Sequence, residues 1–305
     1  MNSSMTTVYS MPPGTENRVC NFVRQVISVE ITEQLHTHEF IKVMRITGGK
    51  AEWVVNNRCH ILEEGCFVIL NESEMRRIKK ICSDEPLEMD WFQFQPLTIF
   101  SQMPVNSCMR LCSIFYSRPK GFSNVITPDS PRSVEIASAY EELVKNAEQN
   151  GILQDEAVIG RLYSLLVEIT RHYVNLLGSD FLDSSMVSIG NFQKMTEVIS
   201  YVREHYMEEI TEQQVARYIY MSPYYFSKLF QAYYGIRFRS YLRQYRMEKT
   251  LELLRSPAGS NITVLDAALT CGFTSASGFY KCLNDLYGDG GAKEIIRKMK
   301  DRADQ

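Results

Sequence analysis

The stretch Thr211-Glu-Gln-Gln-Val-Ala-Arg-Tyr-Ile-Tyr-Met-Ser-Pro-Tyr-Tyr-Phe-Ser-Lys-Leu-Phe-Gln-Ala-Tyr-Tyr-Gly235 decides the reading of this chain. Thr211 with Gln214 three residues on has the form of a capping box, in which each side chain satisfies an orphan backbone N–H at a helix start. Val215, Ala216 and Ile219 recur at helical spacing, and the small Ala216 lets another helix come close. Ser222 then caps a second helix with Pro223 at its first position, where the fixed φ suits a helix and the missing N–H has no partner to lose. Phe226, Leu229 and Phe230 fall on one face of that helix, and Tyr224, Ser227, Lys228 and Gln231 on the other. Gly235 fits a left-handed C-cap.

From Thr263 to Gly288 the pattern recurs. Thr263 and Asp266 open a helix with Val264, Ala267 and Ala268 as apolar positions, and Cys271-Gly272-Phe273 makes the turn. Phe279 and Leu283 then face inward, while Ser277, Tyr280 and Lys281 face outward. Phe226 and Phe279, Lys228 and Lys281, and Gly235 and Gly288 each stand 53 positions apart. A doubled helix pair with a basic residue on each second helix is the pattern of a duplex-DNA reader. The segment from about Phe192 to Ile295 resembles the DNA-binding domain of AraC/XylS-type transcription regulators. The matching residues are Ser222-Pro223, Phe226, Lys228, Phe230, Gly235, Tyr241-Leu-Arg-Gln-Tyr-Arg246, Leu251-Glu-Leu-Leu254, Ala268, Gly272-Phe273, Phe279, Lys281 and Gly288. The resemblance implies two helix-turn-helix units joined by one long helix, here about Phe238 to Leu254, with Tyr241, Leu242, Tyr245, Leu251 and Leu254 apolar. It implies recognition helices held for successive major grooves, about one helical turn apart.

The resemblance carries roles with it. Tyr224, Ser227 and Lys228 would face base edges, with Lys228 donating to guanine O6 or N7 and the tyrosine touching a thymine methyl. Tyr225, Gln231, Arg237 and Arg239 suit phosphate contacts, which fix register without reading sequence. For Arg237 and Arg239 a solvated loop stays open as the alternative. The second unit departs from the family pattern. Ala276, Ser277 and Gly278 are small, Asn284 and Asp285 stand where the family usually has basic residues, and Asp289-Gly-Gly291 replaces an expected proline. Ser277, Tyr280 and Lys281 remain as its DNA-binding candidates, and the second helix is expected to read bases less. Charge agrees modestly: from residue 191 onward 16 Lys+Arg face 13 Asp+Glu, whereas the whole chain carries −3.

The N-terminal half reads as short strands separated by turns: Phe22–Glu30, Phe40–Thr47, Ala51–Asn56, Cys66–Leu70, Arg76–Cys82, Met89–Gln95 and Met109–Tyr116. Gly48-Gly49, Asn56-Asn57 and Glu64-Gly65 supply turn chemistry. Regular short strands suggest a sandwich or barrel. His36-Thr-His38, a hairpin and Gly65-Cys-Phe-Val-Ile-Leu-Asn71 resemble the cupin-type domain common at the front of AraC-type regulators. A metal-binding cupin implies a glutamate four residues after the second histidine and a later histidine. Those places hold Lys42 and, at or near it, Arg76, so no metal or other cofactor is expected. If His36, His38, Lys42 and Arg76 converge, they suit an anionic ligand, with Arg45, Trp53 and Trp91 lining the cavity for an apolar or sugar-like part. The alternative, an outward Lys42 and Arg76, stays open because alternation does not say which face is inside.

Two helical stretches follow. Pro131 opens the first, with Ile136, Tyr140, Leu143, Val144 and Ala147 apolar. The second has Val158, Ile159, Leu162, Leu165, Leu166, Ile169, Tyr173 and Leu176. That face would either cover the barrel or, as the family analogy favours, pair with a second copy. Eight scattered cysteines without a CxxC pair suit reduced thiols in a cytoplasmic protein, and no stretch is long and apolar enough for a membrane span.

The expected fold is α+β: a polar arm (1–18), a cupin-like ligand-sensing β-barrel (19–130), a helical dimerisation element (131–177), a linker (178–190) and an all-α double helix-turn-helix (191–305). The expected function is a non-enzymatic transcription regulator, in the family more often an activator. Its partners would be promoter DNA, RNA polymerase, a second copy and a small-molecule effector. The competing readings are a small-molecule-binding cupin or enzyme with a degenerate helical tail, and a ligand-independent regulator.

Overall fold

The computed structural model describes residues 8–10, 20–27, 40–56, 58–72, 74–95, 104–149, 151–182, 188–256 and 262–303. One compact unit runs to Ile189 and takes in Ala232–Tyr234, and another is built from Gly190–Gln231 and Gly235–Gln305.

The first unit is framed by two antiparallel sheets. The larger contains β1 (Val8–Ser10), β2 (Cys20–Ile27), β3 (Ile41–Gly48), β6 (Phe67–Leu70), β8 (Leu87–Phe94) and β9 (Val125–Ile126), in the order β1-β2-β8-β3-β6-β9. The smaller is β5 (Arg58–Glu63), β4 (Lys50–Val55) and β7 (Arg76–Ile81), in the order β5-β4-β7. Alternation sends one face of each strand to a shared core: Met44 and Ile46 of β3, Trp53 and Val55 of β4, Leu62 of β5, Ile78 of β7 and Met89 and Trp91 of β8 are all buried there. The two sheets thus enclose one core between them. Gly49, at φ 77, turns β3 into β4 with Pro86 O only 2.3 Å from where a Cβ would sit, so no side chain fits. Part of the arm, Val8–Ser10, pairs with Arg24–Val26 as an added strand. His36 and His38 lie outside the described residues.

Among the described residues, the α-helices of this unit are α1 (Val105–Tyr116), α2 (Ser133–Ala147) and α3 (Gln154–Leu177). The segment Met109–Tyr116, expected as a strand, belongs to α1. An apolar run of this length does not distinguish a buried strand from a buried helix, and Leu111, Cys112, Ile114, Phe115 and Tyr116 are all buried in helical form. Conversely, β5 lies between two expected strands and was not anticipated. It is an edge strand with only Leu62 fully buried, so its pattern is weak. Tyr140 of α2 covers the outer face of the larger sheet, with ring centroids 5.3 Å from both Phe67 and Phe92. In α3, Val158, Leu162, Leu165, Leu166, Ile169 and Tyr173 are buried within the single chain. The apolar face assigned to pairing with a second copy is therefore mostly consumed internally, and Leu176 is left exposed.

The described elements of the second unit are all helices: α4 (Ile189–His205), α5 (Glu212–Tyr218), α6 (Pro223–Tyr234), α7 (Phe238–Arg255), α8 (Val264–Thr270) and α9 (Ala276–Ala303). The last is interrupted at Gly288, whose φ of 71° and ψ of 164° are not helical.

Candidate nucleic-acid interface

Local chemistry builds each helix pair. Thr211 and Gln214 form the capping box: Gln214 N–H donates to Thr211 Oγ1 at 3.2 Å, and Thr211 N–H to Gln214 Oε1 at 2.8 Å. Ser222 Oγ accepts from Tyr225 N–H at 3.3 Å, and Pro223 occupies the first helical position. Gly235, at φ 72, ends α6 as a left-handed cap with its N–H on Gln231 O. Phe226, Leu229 and Phe230 are buried, and Phe226 and Phe230 lie 5.4 and 5.3 Å from Phe238, which begins α7. Phe230 also meets Tyr241 at 5.5 Å. This aromatic cluster pins the recognition helix to the connecting helix.

Those inward rings decide what faces out. Tyr224 is 79% exposed, Tyr225 and Gln231 are exposed, and Ser227 is half-buried. Lys228 is exposed and makes no ion pair or hydrogen bond among the described residues. Ser227, Gln231, Arg237 and Arg239 line one cleft of about 820 Å³, together with Thr211, Glu212 and Gln213 at the start of α5 and Ser240 of α7. The cleft thus joins two positively polarised helix starts to two exposed guanidinium groups, a setting suited to phosphate. Sequence reading missed Gln213 and Ser240 there. It also missed Asn191, whose Nδ2 donates to Tyr225 Oη at 3.2 Å.

The second pair repeats the plan with less on its outer face. Thr263 Oγ1 accepts from Asp266 N–H at 3.1 Å, and Ser275 Oγ from Gly278 N–H at 3.1 Å. Phe279, Cys282 and Leu283 are buried, while Ser277, Tyr280 and Lys281 are exposed. Exposed Asn284 and Asp285 adjoin them, so the outward charge is mixed. Between the pairs, α7 spans 18 residues, about 27 Å at about 1.5 Å per residue. Arg246 anchors it to the chain after α4, donating from Nε to Tyr206 O at 2.7 Å and from Nη2 to Glu208 O at 2.6 Å.

The residues expected to bind a ligand divide between two faces of the first unit. Lys42 pairs with Leu70 across the sheet, Arg76 with Val55, and both partners belong to the inner core. Lys42 is therefore inward at 3% exposure and Arg76 at 1%. Trp53 and Trp91 share that core, and Lys42 Nζ sits 4.4 Å from the Trp91 ring centroid. Arg45 is on the opposite face, ion-paired with Asp90 at 2.9 Å and 4.8 Å from the Tyr140 ring. The structure does not bring it to the others. His60 was not anticipated: it stands across from Trp53, and burial holds its pKa below the usual 6.5. Neither Trp53 Nε1 nor His60 Nε2 has a hydrogen-bond partner among the described residues.

Known proteins resemble the chain in sequence and in fold. A family described as a helix-turn-helix domain matches residues 215–289. The Regulatory protein PocR of Salmonella typhimurium is 35% identical over 94 residues, 31% of this chain and 30% of that protein. YijO of Escherichia coli, an HTH-type transcriptional regulator, is 35% identical over 101 residues, 33% of this chain and 35% of that one. These matches span about a third of the length of those relatives. The solved structure of ToxT from Vibrio cholerae superposes with a TM-score of 0.51 at 12% identity, covering 92% of this chain and 98% of that one, a likeness of fold. Among the described residues no helix is long and apolar enough to cross a membrane.

Proposed function

We propose that this chain, whose C-terminal unit is an AraC/XylS-type double helix-turn-helix, is a sequence-specific transcription regulator governed by a small molecule in its N-terminal barrel. The observation that carries this reading is the first recognition face. Lys228 stands exposed on a helix fixed from behind by aromatic rings, beside a cleft that gathers Gln231 of that helix with Arg237 and Arg239 at the start of α7. Lys228 and Tyr224 read base edges, and the cleft holds phosphates. Lys281, Tyr280 and Ser277 make a weaker second contact.

In the barrel, inward Lys42 and Arg76 suit a carboxylate or phosphate, and Trp53 and Trp91 suit its apolar or sugar-like body. The effector regulates by binding two arrangements of the protein with different affinity. In the family's usual direction the outcome is activation through RNA polymerase, in the cytoplasm and without catalysis. A homodimer would use the exposed side of α2 and α3, where Val134, Ala139, Tyr163 and Val167 line a groove of about 700 Å³.

The test is selection of duplexes from a randomised pool by the full chain, followed by anisotropy at stepped salt. One sequence should be enriched, with affinity falling as salt rises. Failure to enrich any duplex contradicts the reading. For the effector, a panel of small acids and sugars is titrated into the full chain. Binding of an acid should weaken in Lys42→Ala and Arg76→Ala, whereas an uncharged sugar unaffected by both would end the anionic assignment.

A further inference from the structure

The first helices of the two helix-turn-helix units end in the same paired hydrogen bonds and carry opposite side chains there. In the first, Tyr220 N–H donates to Arg217 O at 3.1 Å and Met221 N–H to Ala216 O at 2.8 Å. In the second, Gly272 N–H donates to Leu269 O at 3.0 Å and Phe273 N–H to Ala268 O at 3.0 Å. Tyr220 and Gly272 are therefore the same structural position, 52 residues apart, and both are left-handed, at φ 56 and φ 90. This paired-bond helix ending ordinarily takes glycine, because a Cβ is strained there.

At Gly272 sterics enforce the rule twice over. A Cβ would sit 2.5 Å from Tyr206 O and 2.8 Å from Arg246 Nε. At Tyr220 a bulky residue holds the strained conformation with its side chain 92% exposed. That side chain makes no hydrogen bond, ring contact or ion pair among the described residues. The residue therefore holds a strained backbone while its ring adds nothing to the packing. Its neighbours are exposed too: Arg217 and Tyr218 precede it, and Tyr224 follows on the recognition helix. The turn leads directly into the N-terminal end of that helix, the end that enters the groove in such motifs.

We propose that Tyr220 is a DNA-positioning residue, its hydroxyl donating to a backbone phosphate oxygen beside the groove that the first recognition helix enters. The role rests on the DNA-binding reading above and deepens it. A phosphate contact fixes register and carries no base code, so its loss weakens all sequences alike.

The test compares Tyr220→Gly, Tyr220→Asn and Tyr220→Phe in the full chain, using the duplex enriched by the parent and a scrambled duplex of equal length. Glycine and asparagine tolerate the left-handed region, so both variants should fold with Tm unchanged or up by about 2–4 °C. Both should bind each duplex about 3- to 10-fold more weakly, and Tyr220→Phe should match them because it lacks the hydroxyl. Parental affinity in Tyr220→Gly and Tyr220→Asn overturns the proposal. So does a fall in Tm in both, which would make the ring a structural support. If the parent enriches no duplex, the DNA-binding reading itself has failed, a result distinct from either.

Discussion

The two helix-turn-helix units are close to duplicates in backbone and unequal in what they present. Both start on a threonine cap, both turn through a left-handed residue, and both bury a phenylalanine at the same place in the second helix. The second helix of the first unit turns outward two tyrosines and a lysine, beside a cleft with two arginines. The second presents one lysine and one tyrosine diluted by Asn284 and Asp285. The framework needs only the inward residues and the caps, so the outward ones are free to diverge. Sequence shared by the two units therefore reports fold, and sequence that differs between them reports what each presents outward.

The largest effect expected is on stability. Phe226→Ala removes a ring packed against Phe230 and Phe238 and should cost about 3–5 kcal/mol in chemical denaturation. Phe279→Ala, whose ring packs on Phe273 and Tyr280, should fall at the lower end. A larger loss for Phe279→Ala would reverse the view that the first unit is the better braced. Next come the turns. Gly272→Ala forces a Cβ against Tyr206 O and should cost about 2 kcal/mol or more. Tyr220→Ala keeps an L-residue in an open position and should stay within about 0.5 kcal/mol. Equal costs at the two turns would break the contrast between a packed turn and a free one.

Affinity sharpens the comparison further. Lys228→Ala should weaken binding to the enriched duplex by about 1–2 kcal/mol and relax preference at one base position, while Lys281→Ala should cost less than about 1 kcal/mol. Anisotropy titrations with single-base variants of the duplex decide it, and a larger loss for Lys281→Ala contradicts the ranking. The smallest effect is at the caps. Thr211→Ala removes a reciprocal box and should cost about 1 kcal/mol of thermal stability, with Thr263→Ala no more costly.

These same contrasts explain what the sequence disclosed. Caps, the proline at the start of α6 and the glycine at its end are local signals, so the helices of the first unit were legible almost residue by residue. The outward positions followed from helical spacing. The cleft did not, because Gln213 and Ser240 reach it only through the packing of three helices. Tyr220 was silent for a different reason: a tyrosine does not advertise a left-handed backbone as glycine does. In the N-terminal sheet unit, β5 escaped because an edge strand buries little, and α1 was taken for a strand because its buried run lacks a polar face. Arg45 was grouped with Lys42 although three residues along a strand put them on opposite faces.

Hydroxyl-radical footprinting of the full chain on its enriched duplex tests the central claim most directly. Two protected patches on one face, about 10 base pairs apart, should appear. The patch that fades in Lys228→Ala should be the stronger of the two. A single patch, or two patches on opposite faces of the duplex, would contradict a rigidly spaced pair of recognition helices.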